Sequence, residues 1–96
     1  MFTHVVLFKL KNNSKENIKK MADLLRSMDG KIPMLRGLTV GEDVLFTERS
    51  YDICLITTFD SQEALDEYQV HEYHVETVLK NLRPELESSK ACDFFS

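Results

Sequence analysis

A chain of 96 residues with 43% hydrophobic and 29% charged side chains is one globular domain's worth of polypeptide, and its composition excludes a disordered protein. A net charge of −4, with its basic residues scattered, gives no footprint for nucleic acid or for an anionic membrane surface. No run reaches the roughly 18–20 consecutive apolar residues that cross a bilayer, and "MFTHVVLFKLK" lacks the basic region and cleavage site of a secretory leader, so a cytoplasmic protein is expected.

The first element, "FTHVVLFKL" (residues 2–10), is rich in β-branched and aromatic residues and reads as a strand. "NNS" breaks it, with Ser14 or Asn13 placed to cap a helix. Ile18, Met21, Ala22, Leu24, Leu25 and Met28 then recur at three-and-four spacing, which predicts an amphipathic helix of about four turns. Gly30 and Pro33 mark its exit. Lys9, Lys11, Lys15, Lys19 and Lys20 form a solvated rim on and beside that helix.

A short strand is predicted over residues 36–44. After the turn "FTERS", the run "YDICLITTF" (51–59) gives the strongest strand signal in the chain. Asp60, followed three residues later by Glu63, fits a capping box and starts a second helix at about residue 61. No glycine or proline interrupts the chain from there to Pro84, so the helical stretch is expected to run to about residue 82, with or without a bend. "SSKACDFFS" (88–96) suits a last strand. The order β-α-β-β-α-β is the split βαβ of a ferredoxin-like α+β fold, with residues 1–96 as a single domain and no repeats or linkers.

The strands are apolar on both sides. Phe2, Val6, Phe8 and Leu10 share one face of the first strand and Val5 and Leu7 the other; the third divides Ile53, Leu55 and Phe59 from Cys54 and Ile56. Two helices cover only one face of a four-stranded sheet, so the opposite face calls for a partner, and a homodimer follows. Cys54 and Cys92 lack CxxC spacing and read as small buried thiols in a reducing compartment.

Four stretches carry a family likeness: "HVVLFKLK", "IPMLRGLTVGEDV", "YDICLITTFDSQEALDEYQVHEYH" and "DFF". Together they make nearly the whole chain resemble the stress-responsive A/B barrel family, small dimeric α/β-barrel proteins. The specific part is "YQVHEYH", where the family often shows Y-x-x-H-P-x-H; here Tyr68, His71 and His74 stand in that pattern, with Glu72 at the proline position. The resemblance implies two ferredoxin-like subunits whose sheets close into one barrel, with a pocket between each sheet and its own helices.

A plant member of the family is a polyketide cyclase that needs no cofactor. By that resemblance His74 and Tyr68 fall on its catalytic histidine and tyrosine, and His4 on a further pocket histidine. Ile53 falls where the enzyme carries another histidine, so one polar pocket group is missing. The related dimeric-barrel monooxygenases share the architecture, but the chain carries no residue distinctive of them.

The chemistry of such a cluster is coherent. Histidine titrates near neutrality, so His74 suits proton abstraction from an activated carbon, and Tyr68 suits hydrogen-bond donation to a developing enolate oxygen. In an unbroken helix, however, residues 68 and 74 are about 240° apart around the axis. The two rings meet more readily if the helix kinks near His71, where the family's proline usually sits. The bland reading is a polar cluster lining a helix–sheet interface, with His71 in a surface or capping role.

"HEYH" also lacks the four-residue histidine spacing of the zinc-protease helix, and nothing marks a further ligand beside His71, His74 and Glu76, so no metal is expected. Gly30, Gly37 and Gly41 are too dispersed for a phosphate loop. The expected ligand is a small hydrophobic or carbonyl molecule, with His4, Ile53 and His71 as its expected binding residues.

Overall fold

The computed structural model describes all residues, 1–96. Four strands, β1 (Phe2–Leu10), β2 (Gly37–Glu42), β3 (Ile53–Phe59) and β4 (Leu86–Phe95), form one antiparallel sheet in the order β2-β3-β1-β4. Helix α1 (Lys15–Arg26) packs on β2 and β3, and α2 (Gln62–Val70) packs on β1 and β3. The ferredoxin-like order read from the sequence is the order found.

The alternation in β1 and β3 decides which face the helices cover. Ile53, Leu55, Thr57 and Phe59 are buried while Cys54, Ile56 and Thr58 between them are only half-buried. Phe2, Phe8 and Leu10 complete the covered face and meet Ile18, Met21, Ala22 and Leu25 of α1, Leu65 and Tyr68 of α2, and Val78 and Leu82 beyond it. Asp52 is 4% exposed, and its Oδ2 accepts from the Leu10 N–H at 2.8 Å while its own N–H donates to the Phe8 carbonyl at 2.8 Å. A buried carboxylate so satisfied locks the end of β1 onto β3.

Three expectations change. Ser61, not Asp60, is the N-cap of α2, its Oγ accepting from the Ala64 N–H at 3.2 Å. Asp60 instead takes a forked contact from Arg36, at 3.1 and 2.9 Å. The cysteines are not both buried: Cys54 is half-buried and Cys92 exposed, because both point from the sheet face that no helix covers.

The largest difference is in the second helical run. It does not continue from residue 61 to 82. α2 ends at Val70, His71 is extended (φ −62°, ψ 137°), and the chain restarts as a π-helical segment, Tyr73–Leu79. A short α-helical turn (Lys80–Leu82) and a 3₁₀ turn (Arg83–Glu85) then lead into β4. Proline plays no part in the break, since Pro84 lies well beyond it. α1 matches its pattern closely: Ser14 caps it by accepting from the Asn17 N–H, and after Arg26 the chain turns through Gly30 at φ +77°, a conformation glycine adopts without steric cost.

Candidate functional site

The break at His71 builds the site. It turns the segment after it so that the rings of Tyr68 and His74 lie 4.3 Å apart between centroids, tilted by 41°. Tyr68 also packs on Phe59 of β3, at 5.1 Å. Both rings are deep in the structure, Tyr68 1% and His74 6% exposed.

Each polar tip of this pair has a definite partner. His74 Nδ1 lies 3.1 Å from the Gln69 carbonyl oxygen. A carbonyl only accepts, so Nδ1 carries the proton and the lone pair of the neutral ring sits on Nε2. Nε2 makes no hydrogen bond within the chain. No fully buried side-chain nitrogen or oxygen is left unpaired, so that nitrogen keeps contact with solvent.

Burial holds the His74 imidazole below its ordinary range; the Gln69 carbonyl partly opposes this, and the charges of His4, Arg83 and His71 add to it. At neutral pH His74 is therefore an uncharged base. The Tyr68 phenol is pushed well above its ordinary range by burial and stays protonated. Its hydroxyl faces the Met28 sulfur at 3.6 Å, a weak acceptor.

His4 reaches the same region from the sheet. It sits on the helix-covered face of β1, opposite Thr57 on β3 and Asp93 on β4. Its Nδ1 is hydrogen-bonded to Asp93 Oδ1, while Thr57 Oγ1 donates to its backbone carbonyl at 3.3 Å. The carboxylate fixes the ring's orientation and leaves Nε2, which has no partner in the chain, as its free nitrogen.

His71 and Ile53 are placed differently. His71 caps the end of α2, its N–H donating to the Tyr68 carbonyl, and its ring Nδ1 accepts from the Tyr73 N–H at 3.1 Å. That is a backbone-capping geometry. Ile53 pairs with Phe8, four residues along the ladder from the His4–Thr57 pair, or about 13 Å at strand rise. The structure thus brings the Tyr68 and His74 rings into contact, places His4 near enough for its charge to act on His74, and leaves Ile53 four residues along the ladder from His4.

Surface depressions of about 230 to 650 Å³ occur, and none of these is lined by Tyr68, His74 or His4. One of about 290 Å³ includes Ile53 with Leu7, Arg49 and Tyr51, and one of about 230 Å³ includes His71 with Glu72 and Glu76. Tyr68 and His74 pack in contact, with the polar edge of His74 as the point of access. No three His, Cys, Asp or Glu side chains gather in a group that could hold a metal ion.

Two members of the cluster were not singled out in the sequence. Asp93 is the one acid in the apolar run "ACDFF", a position that hinted at a role in the last strand. Gln69 acts through its backbone carbonyl, for which no side-chain signal exists.

A family model for the stress responsive A/B barrel domain matches residues 2–96. The chain belongs to that family. No curated protein matches it. Among solved structures, an Arabidopsis thaliana protein superposes with a TM-score of 0.85 at 25% identity, over 100% of this chain and 95% of its own. A Bacteroides fragilis protein, described as dimeric, ferredoxin-like and of unknown function, gives 0.83 at 24%, over 99% and 95%. A hydroxynitrile lyase from Passiflora edulis gives 0.80 at 15%, over 97% and 90%, a likeness of fold. The A/B barrel chain described here also has no helix long and apolar enough to cross a membrane.

Proposed function

We propose that this A/B barrel protein is a cytoplasmic homodimer that binds a small hydrophobic or carbonyl compound between sheet and helices, at the edge where His74 and His4 present their free ring nitrogens. The observation that carries the reading is the His74 ring itself. It is packed at a tilt on Tyr68, tied through Nδ1 to the Gln69 carbonyl, and left with a basic Nε2 that has no partner in the chain.

A thermal-shift screen of carbonyl and aromatic compounds tests it, run on the native chain and on His74→Ala. At least one compound should raise the Tm of the native chain and leave that of the variant unmoved. A screen in which nothing stabilises either protein removes the binding reading.

The dimer rests on the uncovered sheet face. Val5, Leu7, Cys54 and Ile56 are only half-buried there, with Cys92 and Phe94 exposed beside them. A second copy laid on this face removes that apolar surface from water by a self-complementary contact. The described dimeric state of the Bacteroides fragilis protein supports a dimer. Light scattering at micromolar concentration should give twice the chain's 11.2 kDa; a monomer mass rules the arrangement out.

The same geometry supports a second reading, a proton-transfer reaction that needs no cofactor. In it His74 Nε2 takes a proton from carbon next to a carbonyl, and the Tyr68 O–H leaves the weak Met28 contact to donate to the enolate oxygen. The occurrence of a hydroxynitrile lyase on this fold is consistent with small-molecule chemistry here. Exchange of the α-protons of a bound ketone into deuterium oxide, lost in His74→Ala, is the expected outcome; equal exchange in both proteins defeats the assignment.

A further inference from the structure

We propose that His71 is the positioning residue of the Tyr68–His74 pair, acting through an exchange of backbone partners that ends one helix and aims His74. The inference rests on the binding reading only for its functional meaning; its geometry stands independently.

In a continuous α-helix the Tyr73 N–H would donate to the carbonyl four residues back, that of Gln69. Residue 74 would then lie about 240° around the axis from residue 68 and about 9 Å along it, with no contact between the rings. The structure has another arrangement. The Tyr73 N–H donates to His71 Nδ1 at 3.1 Å, and the Gln69 carbonyl accepts from His74 Nδ1 at 3.1 Å. One side chain takes the donor that would have continued the helix, and the released acceptor holds the ring that faces Tyr68.

The other backbone groups agree with this exchange. The His71 N–H closes α2 on the Tyr68 carbonyl, and the His71 carbonyl opens the next segment by accepting from the Val75 N–H at 2.9 Å. Glu72, which holds the N-cap position, makes no side-chain capping bond. A new helix start leaves N–H groups without intrahelical partners, and the His71 ring satisfies one of them. At the far end of the same turn the Tyr73 hydroxyl donates to Ser27 Oγ at 2.8 Å, which anchors the restarted segment to the end of α1.

The backbone angles supply a way to separate this role from general stability. His71 at ψ 137° and Glu72 at φ −52° are conformations that a proline at position 72 accepts. Such a proline excludes the continuous helix by its ring alone, with no help from the His71 side chain. An asparagine at 71 offers a side-chain oxygen to the N–H two residues on, the same reach that His71 Nδ1 makes.

Nuclear Overhauser contacts between the Tyr68 and His74 ring protons, read on the ligand-free chain, test the proposal. They should be present in the native protein, lost in His71→Ala, kept in His71→Asn and restored in the double variant H71A/E72P. The His74 Nδ1–H resonance should follow the same pattern. Contacts that persist in a folded His71→Ala overturn the proposal. So does their absence from H71A/E72P, whether that chain folds without them or fails to fold. Should His71→Ala alone not fold, recovery of both fold and ring contact in the double variant is the expected result. The ligand screen reads a separate quantity: native ring contacts with no stabilising compound would sink the binding reading and leave the positioning role intact.

Discussion

The two helical runs on the covered face obey different rules. α1 is a single regular helix, with Ser14 at its start, Ile18, Met21, Ala22 and Leu25 buried along one stripe, and an exit turn through Gly30. The run from Gln62 to Glu85 covers the same sheet in four pieces, α, π, α and 3₁₀. Regularity in α1 makes a wall. Irregularity in the second run turns one ring toward another and releases a carbonyl to hold it. The difference teaches that the candidate site lies where the helix ladder is interrupted, in keeping with the frequent placement of π-helical turns at functional sites.

The largest test of that contrast asks whether the irregular run is packed as firmly as the regular one. Leu25 of α1 is 1% exposed and Leu82 of the broken run 0% exposed. Leu25→Ala and Leu82→Ala should each cost about 2–5 kcal/mol in urea unfolding, the range for emptying a buried leucine site. A cost below about 1 kcal/mol at Leu82 would mean that the second run is loosely docked, and the contrast would become one of rigidity rather than shape.

Capping gives the next effect. Ser14→Ala and Ser61→Ala each remove an oxygen that accepts from a first-turn N–H, and each should cost about 1 kcal/mol. Asp60→Ala should cost only a few tenths, since its pair with Arg36 is exposed. If Asp60→Ala costs as much as Ser61→Ala, Asp60 is sharing the cap.

The pH effect nearest neutrality belongs to the second run. The folded His74 pKa is depressed, so between that value and about 6.5, the ordinary histidine range, the unfolded chain binds more protons than the folded one. Stability contributed by neutral His74 is fully present above that range and falls as the pH drops through it. His74→Gln should flatten this part of a Tm-against-pH curve. An unchanged slope would show that His74 is not buried as a neutral ring.

Much of the fold is legible because α1 and the strands speak through periodicity. Of the apolar positions named from spacing, Ile18, Met21, Ala22 and Leu25 are buried in α1 and Met28 just beyond it, with Leu24 half-buried, and the alternation of β3 gives the covered face residue by residue. The site is legible only in part. Tyr68, His74 and His4 stand out as polar rings in a family pattern, but the break that unites two of them comes from a side-chain-to-backbone bond at a histidine, a residue with no breaking tendency of its own. Asp93 escapes for another reason: its partner is 89 positions away, and only strand register brings the two together. The Asp60 assignment failed because two adjacent residues both had capping chemistry, and the backbone at Ser61 was the one extended to use it.

The strand order has a temporal consequence. β1 is synthesised first yet occupies an interior place in the sheet, between β3 and β4. His4 meets Thr57 only after a loop of more than fifty residues has closed, and meets Asp93 later still. Such long closures are entropically slow to form. β1 therefore keeps both edges unsatisfied until β3 and β4 reach it, and His4 gains its carboxylate only when β4 pairs.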